Sequence, residues 1–241
     1  MRTRHLFLNI LTAILLFFSS SVLYAQEPKI DSIICKGRNI EIYTQDLKAS
    51  RKALGGNIFL GKIKYSGNLS RFFKDPFIIG INLDFHRNKW VWQIDDYLGF
   101  GKTKEKMIFT ENDIWDKDKS VYSVMLGGNL GYTLYDTRNI KFVPLAGINI
   151  QMLGSTFMST SDIAEYEPVL PYFKMGFYID FKSLVLLQNH IRINHEDENY
   201  TSLRLSMGIN LPLSKGNYEE YFHGPMLYLT LGMGGLSRAY K

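Results

Sequence analysis

The sequence predicts an all-β chain, an antiparallel up-and-down transmembrane β-barrel of about eight to ten strands. Three observations lead there. Between Tyr122 and Leu134 the residues fall into two faces: Tyr122, Val124, Leu126, Gly128, Leu130, Tyr132 and Leu134 on one, Ser123, Met125, Gly127, Asn129, Gly131 and Thr133 on the other. A period of two is a strand, and an apolar face with tyrosines near its ends suits a lipid-facing strand with interfacial aromatics. The same alternation recurs along the chain. Finally, the opposite faces are rich in Gly, Asn, Ser and Thr, whereas a water-exposed face would carry many Lys and Glu. Alternation alone also allows a soluble lipid-binding barrel or sandwich with an apolar interior; small polar side chains on the other face suit a confined barrel lumen and favour the membrane.

The chain opens with Arg2 and Arg4, an apolar run from Leu6 to Phe18, then Ser19, Ser20, Ser21 and Ala25. This reads as a secretory signal peptide over residues 1–25. Its apolar core falls short of the roughly 20 residues that a spanning helix needs. Cleavage after Ala25 leaves Gln26 first, which resembles the Ala-Gln junction common in secreted proteins of the Bacteroidetes. Removal of two arginines lowers a formal net charge of +5, and no basic stripe points to nucleic acid. Residues 26–56 are expected to form a periplasmic extension and residues 57–241 the barrel. Cys35 is the single cysteine. It excludes an intramolecular disulfide, and its distance from the cleavage site argues against a lipid anchor.

The strands follow in order. A weak opening strand has Phe59, Gly61, Ile63 and Tyr65 on one face. Phe77, Ile79, Ile81, Leu83 and Phe85 oppose Ile78, Gly80, Asn82, Asp84 and His86. Arg87, Asn88 and Lys89 then turn into Trp90, Trp92, Ile94, Leu98 and Phe100, where Asp96 interrupts the apolar face and suggests a bulge or strand end. After the Tyr122 strand, Asp136, Thr137 and Arg138 turn into Ile140, Phe142, Ala146, Ile148, Ile150 and Met152. Pro144 removes a ladder donor there, which normally demotes a strand to an edge, yet the alternation continues on both sides. Phe173, Met175, Phe177, Ile179 and Phe181 give the clearest aromatic face, and Lys182 and Ser183 are expected to turn. Val185, Leu187, Ile191 and Ile193 follow with Asn189 on the wrong side. Leu203 to Leu211 and Leu227 to Met233 complete the set.

The count is nine, and bacterial single-chain barrels have an even number. Either Asn39 to Gln45 supplies a tenth strand, or the weak opening strand lies outside the barrel, which short-turn placement favours, or Met107 to Thr110 hides another. Short turns at 87–89, 136–138 and 182–183 would face the periplasm. The long connections 102–119 and 154–168 would face outward, where a surface partner would bind.

Gly127 to Tyr132, the hairpin at Asp136, and Phe142-Val143-Pro144-Leu145-Ala146-Gly147 resemble the small outer-membrane barrels of the OmpA/OmpW-like type, over about residues 57–213. The resemblance implies export, insertion by the outer-membrane assembly machinery, and outer-membrane lipids as surroundings. It also implies a terminal aromatic; here Tyr240 is penultimate. Nothing after Leu236 resembles a peptidoglycan-binding domain, so no cell-wall tether is expected.

The expected role is structural or surface-interacting, without catalysis. A narrow solute channel is the first alternative, although about eight to ten strands leave a lumen largely filled by side chains. A lipid-modifying hydrolase is the second. His190, His195, Glu196 and Ser202 lie close in sequence, but the His-x-Ser-Asn element of lipid A deacylases is unmatched, since Glu196 and Asp197 follow His195. His190 and Arg192 are expected to fill the lumen and residues 195–199 to form a polar loop. His86, His190 and His195 lack zinc-ligand spacing. Gly99-Phe100-Gly101-Lys102-Thr103 lacks the upstream glycine of a phosphate loop and reads as a strand end. No catalytic, cofactor-binding or metal-binding residue is therefore expected.

Overall fold

A computed structural model describes residues 33–36, 39–42, 49–109, 114–137, 139–155, 168–184, 200–213 and 219–240. Eight long strands form the wall: β1 (Ala49–Tyr65), β2 (Phe77–Arg87), β3 (Trp90–Lys102), β4 (Ser120–Tyr132), β5 (Ile140–Gly154), β6 (Val169–Leu184), β7 (Tyr200–Pro212) and β8 (Met226–Tyr240). Each pairs antiparallel with the next, and β8 pairs back onto β1, so the sheet closes without an edge. Closure satisfies every ladder between neighbours, the condition for placing a sheet in hydrocarbon.

Alternation fixes which residues face out. Ile58, Leu60, Phe77, Ile79, Trp92, Ile94, Leu126, Ile148, Met175, Leu203, Leu229 and Leu231 are exposed on the outer surface. Exposure of so many large apolar side chains around the whole wall is ruinous in water and favourable in lipid. Aromatic residues collect toward both ends of this band: Trp90 meets Tyr132 edge to face at 5.2 Å at one end, and Phe77, Phe100 and Tyr122 lie in register at the other.

Several expectations change. The opening strand is part of the wall, and it begins at Ala49 instead of Asn57. Its faces are the reverse of those expected: Phe59, Ile63 and Tyr65 point into the lumen, while Lys62 and Lys64 point out. The reason is that one end of the lumen is itself apolar, so hydrophobicity does not mark the lipid side there. Lys182 and Ser183 do not turn; they continue β6, opposite Ser202 and Thr201, because the Lys182 ammonium finds a carboxylate, Asp136, inside the barrel. Asp96 makes no bulge: register runs unbroken through it, to Ile81 on one side and Leu126 on the other. Pro144 is tolerated because the β4 ladder starts only at Leu145, so the missing donor falls outside it.

The expected tenth strand, Asn39–Ile42, pairs with Ile33–Lys36 in a separate two-stranded sheet. Met107–Ile108 pairs with Ile114–Trp115 in a small hairpin beyond the wall. The expected signal peptide at 1–25 and the expected strand at 185–194 lie outside the described residues. The turn at Asn88 is tight, with Asn88 at φ 57, a left-handed conformation that Asn accepts more readily than most residues.

Candidate functional site

Among the described residues, it is in the lumen that the eight strands bring chemistry-bearing side chains together, in three layers. Nearest the Asn88 turn lies a charged layer. From β7, Arg204 bonds Asp180 through Nε at 2.6 Å and Nη2 at 2.9 Å, and reaches Asp84 through Nη1 at 2.5 Å. Its guanidinium lies 3.8 Å from the Tyr178 ring centroid. Gln93 donates to Asp84 at 2.9 Å and the Tyr200 hydroxyl to Asp180 at 3.3 Å. Beside them Lys182 pairs with Asp136 and donates to the Thr137 carbonyl at 2.8 Å, while Lys141 sits 3.2 Å from His86 Nδ1.

The middle layer is mostly neutral. Lys174 pairs with Asp95, which also accepts from Asn129 at 2.7 Å. Asn149 donates to Asn210 at 3.4 Å, and Gln151 to Ser123 at 2.8 Å. Between them lies a cavity of about 20 Å³, lined by Asn82, Asp95, Asn149, Lys174, Asn210 and Tyr228 among others. That is room for about one water molecule, far below a small-molecule pocket. Glycines make space for the large side chains: a Cβ on Gly176 or Gly208 would stand 2.2 or 2.4 Å from the Tyr228 hydroxyl.

The third layer closes the opposite mouth. The described parts of the connections there, residues 66–76, 103–109, 114–119 and 219–225, contribute Leu69, Phe72, Phe73, Met107, Phe109, Trp115 and Phe222 to one buried cluster. The short helix Gly67–Phe72 buries Leu69 and Phe72, and Trp115 is fully buried. Phe109 stacks on Phe222 at 5.6 Å and meets Trp115 edge to face at 5.1 Å. Phe73 stacks on Phe222 at 5.6 Å. Across the rim of this cap, Lys74 holds Asp118 at 2.6 Å and Arg71 holds Glu105 at 3.2 Å. The Lys74 ammonium, by its hydrogen bond and its charge, keeps the Asp118 carboxyl below the usual carboxylate range.

Among the described residues, the lumenal acids Asp84, Asp95, Asp136 and Asp180 are matched by Lys141, Lys174, Lys182 and Arg204. Each of these eight side chains thus has an ion-pair partner of opposite sign inside the barrel. Sequence reasoning located Asp84, Asp95, Lys141, Lys174, Asp180 and Arg204 on the inward face, took Asp136 and Lys182 for turn residues, and missed the partnerships of all eight. Tyr172, Tyr178 and Tyr228 are buried opposite the apolar faces, as the alternation predicts, while Tyr65 and Tyr200, which it did not place inward, are buried there too. For the first three the outward neighbours are the apolar positions of the same strands, and that alternation was the available signal.

Ser202, named in the hydrolase alternative, is a buried lumenal residue in register with Lys182 and Gly234. His190, Arg192, His195 and Glu196 lie outside the described residues. Gly99 to Lys102 closes β3, and Thr103 bridges Phe73. Among the described residues no group of three His, Cys, Asp or Glu side chains is placed to hold a metal ion.

No protein-family model matches the chain, and no curated protein matches it. Solved structures similar to it include Ail, the attachment invasion locus protein of Yersinia pestis, in complex with the heparin analogue sucrose octasulfate, at 11% identity and TM-score 0.42 over 77% of this chain and 97% of that one. The N-terminal β-barrel domain of Pseudomonas aeruginosa OprF aligns at 10% identity and TM-score 0.38, over 79% and 100%. Neisserial surface protein A aligns at 11% and 0.43, over 80% and 99%. These are small outer-membrane barrels of eight strands. The likeness adds no residue-level correspondence, and the closure of the present barrel rests on its own strand register.

Proposed function

We propose that this chain is an outer-membrane barrel whose role is structural and surface-interacting, not transport. One observation bears most of the weight: an apolar outer band encloses a lumen that is filled, charge-balanced and capped. The band requires lipid. The cavity in the middle of the lumen holds about 20 Å³, room for about one water molecule. Residues 1–25 would direct export, and the assembly machinery would insert the barrel with the Asn88 turn toward the periplasm and the capped mouth outward. Surface contacts would then fall on connections 102–119 and 154–168.

Membrane fractionation combined with a heat-modifiability gel tests the reading. The protein should be recovered with outer membranes and should migrate differently before and after boiling. Recovery of a soluble periplasmic monomer without detergent would overturn it. In planar bilayers the folded protein should show no discrete conductance steps; regular steps would replace the structural role with the channel.

A further inference from the structure

The capped rim is not uniform around the barrel. On one side, the outward positions next to the cap are apolar: Val169 on β6, Leu213 beyond β7, and Leu227 on β8, each about half exposed or more. On the other side lysines take these positions. Register places Lys62 of β1 beside Phe77 of β2, Phe77 beside Phe100 of β3, and Phe100 beside Tyr122 of β4. One step further toward the cap on the same face lie Lys64 and Lys102, two strands apart, a lateral separation of about 10 Å. Lys62 and Lys64 are flanked on β8 by Leu229 and Leu227. An aromatic and aliphatic shelf is thus edged by three cations.

Several other basic side chains at this rim have partners. Lys74 is paired with Asp118 and Lys106 with Asp116; Lys104 donates to the Ser70 carbonyl, and Lys119 lies 5.9 Å over the Trp115 ring. Asp75, the acid nearest to Lys64 in the sequence of β1 and its connection, accepts the Tyr65 amide proton at 3.0 Å. Lys62, Lys64 and Lys102 are exposed and form no ion pair among the described residues. A single lysine at a membrane boundary is cheap, because its stem lies along apolar surface while its ammonium reaches water. Lys62 and Lys64 on β1 and Lys102 two strands away on β3 repel one another unless an anion sits among them; the Asp118 carboxylate acts on Lys102 from the cap side.

We infer that Lys62, Lys64 and Lys102 bind the phosphate-bearing headgroup of a lipid in the leaflet at the capped end, with its acyl chains over Phe77, Phe100 and Leu229. The inference rests on the membrane reading above. A phosphate monoester accepts from several ammonium groups at once, and a headgroup bearing two phosphates matches the spacing of Lys64 and Lys102. The apolar half of the rim offers no such attraction, so the lipid is held on one side of the barrel.

The full chain, reconstituted into phosphatidylcholine bilayers containing either diphosphoryl lipid A or its dephosphorylated form, is released and analysed by native mass spectrometry. The diphosphoryl form should be retained at least tenfold more. At about fivefold per lysine, the combined Lys62→Gln, Lys64→Gln and Lys102→Gln variant should fall to the dephosphorylated level, whereas three Lys→Arg changes at these positions should preserve retention. Lys89→Gln, at the opposite end, should change nothing. Equal retention of both lipids, an unaffected triple variant, or displacement of the lipid by inorganic phosphate would overturn the site. Heat-modifiability in plain phosphatidylcholine reports folding of each variant and tests the membrane reading separately. A barrel that inserts there yet shows no headgroup preference refutes only the lysine site, and a chain that stays soluble refutes both.

Discussion

The two ends of this barrel are closed by different physics. Toward the Asn88 turn the seal is ionic and built on the wall itself: Arg204 of β7 is fixed between Asp180 of β6 and Asp84 of β2, the latter 120 positions away in the chain. Toward the long connections the seal is apolar and built on loops, where Phe73, Phe109, Trp115 and Phe222 pack together. Apolar packing is non-directional and tolerates rearrangement. A buried charge tolerates nothing unless each partner is present. The turn end is therefore specified by a few atoms and the loop end by a volume.

Removing a partner from the ionic layer should give the largest effect. Arg204→Leu strands Asp84 and Asp180 inside the wall and is expected to cost about 3–5 kcal/mol, measured by urea unfolding in bilayers. Adding Asp84→Asn and Asp180→Asn to the same chain should recover most of the loss. A single variant as stable as the parent would erase the contrast between the two ends.

Trp115→Ala removes the largest side chain of the cap and should cost about 3 kcal/mol, but locally. Cleavage of connections 103–119 and 213–225 by external protease should accelerate while the unfolding midpoint of the wall moves little. If the wall and the cap instead unfold together, the loop seal is part of the same cooperative unit as the strands.

The contrast also explains what the sequence revealed. From Phe77 onward, hydrophobic alternation identified the outward face of every described wall strand, because one face meets lipid and the other a polar lumen. In β1 the same rule inverted the faces: Phe59, Ile63 and Tyr65 are hydrophobic on behalf of the cap, not the lipid. Lys182 and Ser183 were mistaken for a turn for a related reason, since a lysine inside a barrel makes sense only once Asp136 is known to be opposite. Partnerships such as Arg204 with Asp84 join residues far apart in the chain, and no local pattern encodes them. Strand number stayed odd on paper because Val185 to Ile193 was counted as well, whereas β6 pairs directly with β7 in the wall, a pairing that periodicity does not contain.

Between the two seals, Asp96 stands on the lipid-facing side at mid-strand, between Ile81 and Leu126. It belongs to neither mode of closure, and the surrounding wall gives it no ion pair among the described residues. Asp96→Leu should stabilise the barrel in bilayers by about 1–2 kcal/mol, leaving both ends unaltered in protease accessibility. A loss of stability would show that the carboxylate has a partner in the membrane, and the simple division into two ends and a passive wall would fail.

The smallest expected effect tests whether the apolar seal has any ionic latch. Lys74 and Asp118 join two of the connections that form the cap, and both are half exposed. Because Lys74 depresses the Asp118 carboxyl, chiefly through the hydrogen bond, the folded cap binds this proton less readily than the unfolded chain. The latch is therefore fully present above the ordinary carboxylate range and is lost as pH falls through the lowered value. Amide exchange at Thr103 and Lys119, whose backbones are bonded to each other across the base of this loop, should quicken over that acidic interval once the intrinsic pH dependence of exchange is removed. Lys74→Met should shift the Asp118 titration, followed by carboxyl NMR, back up to the usual range and abolish the acid-linked change in exchange. Salt should weaken the latch in the parent because the pair is open to solvent. Unchanged exchange in both proteins would leave the loop end closed by packing alone, and the difference between the two ends would be sharper than drawn here.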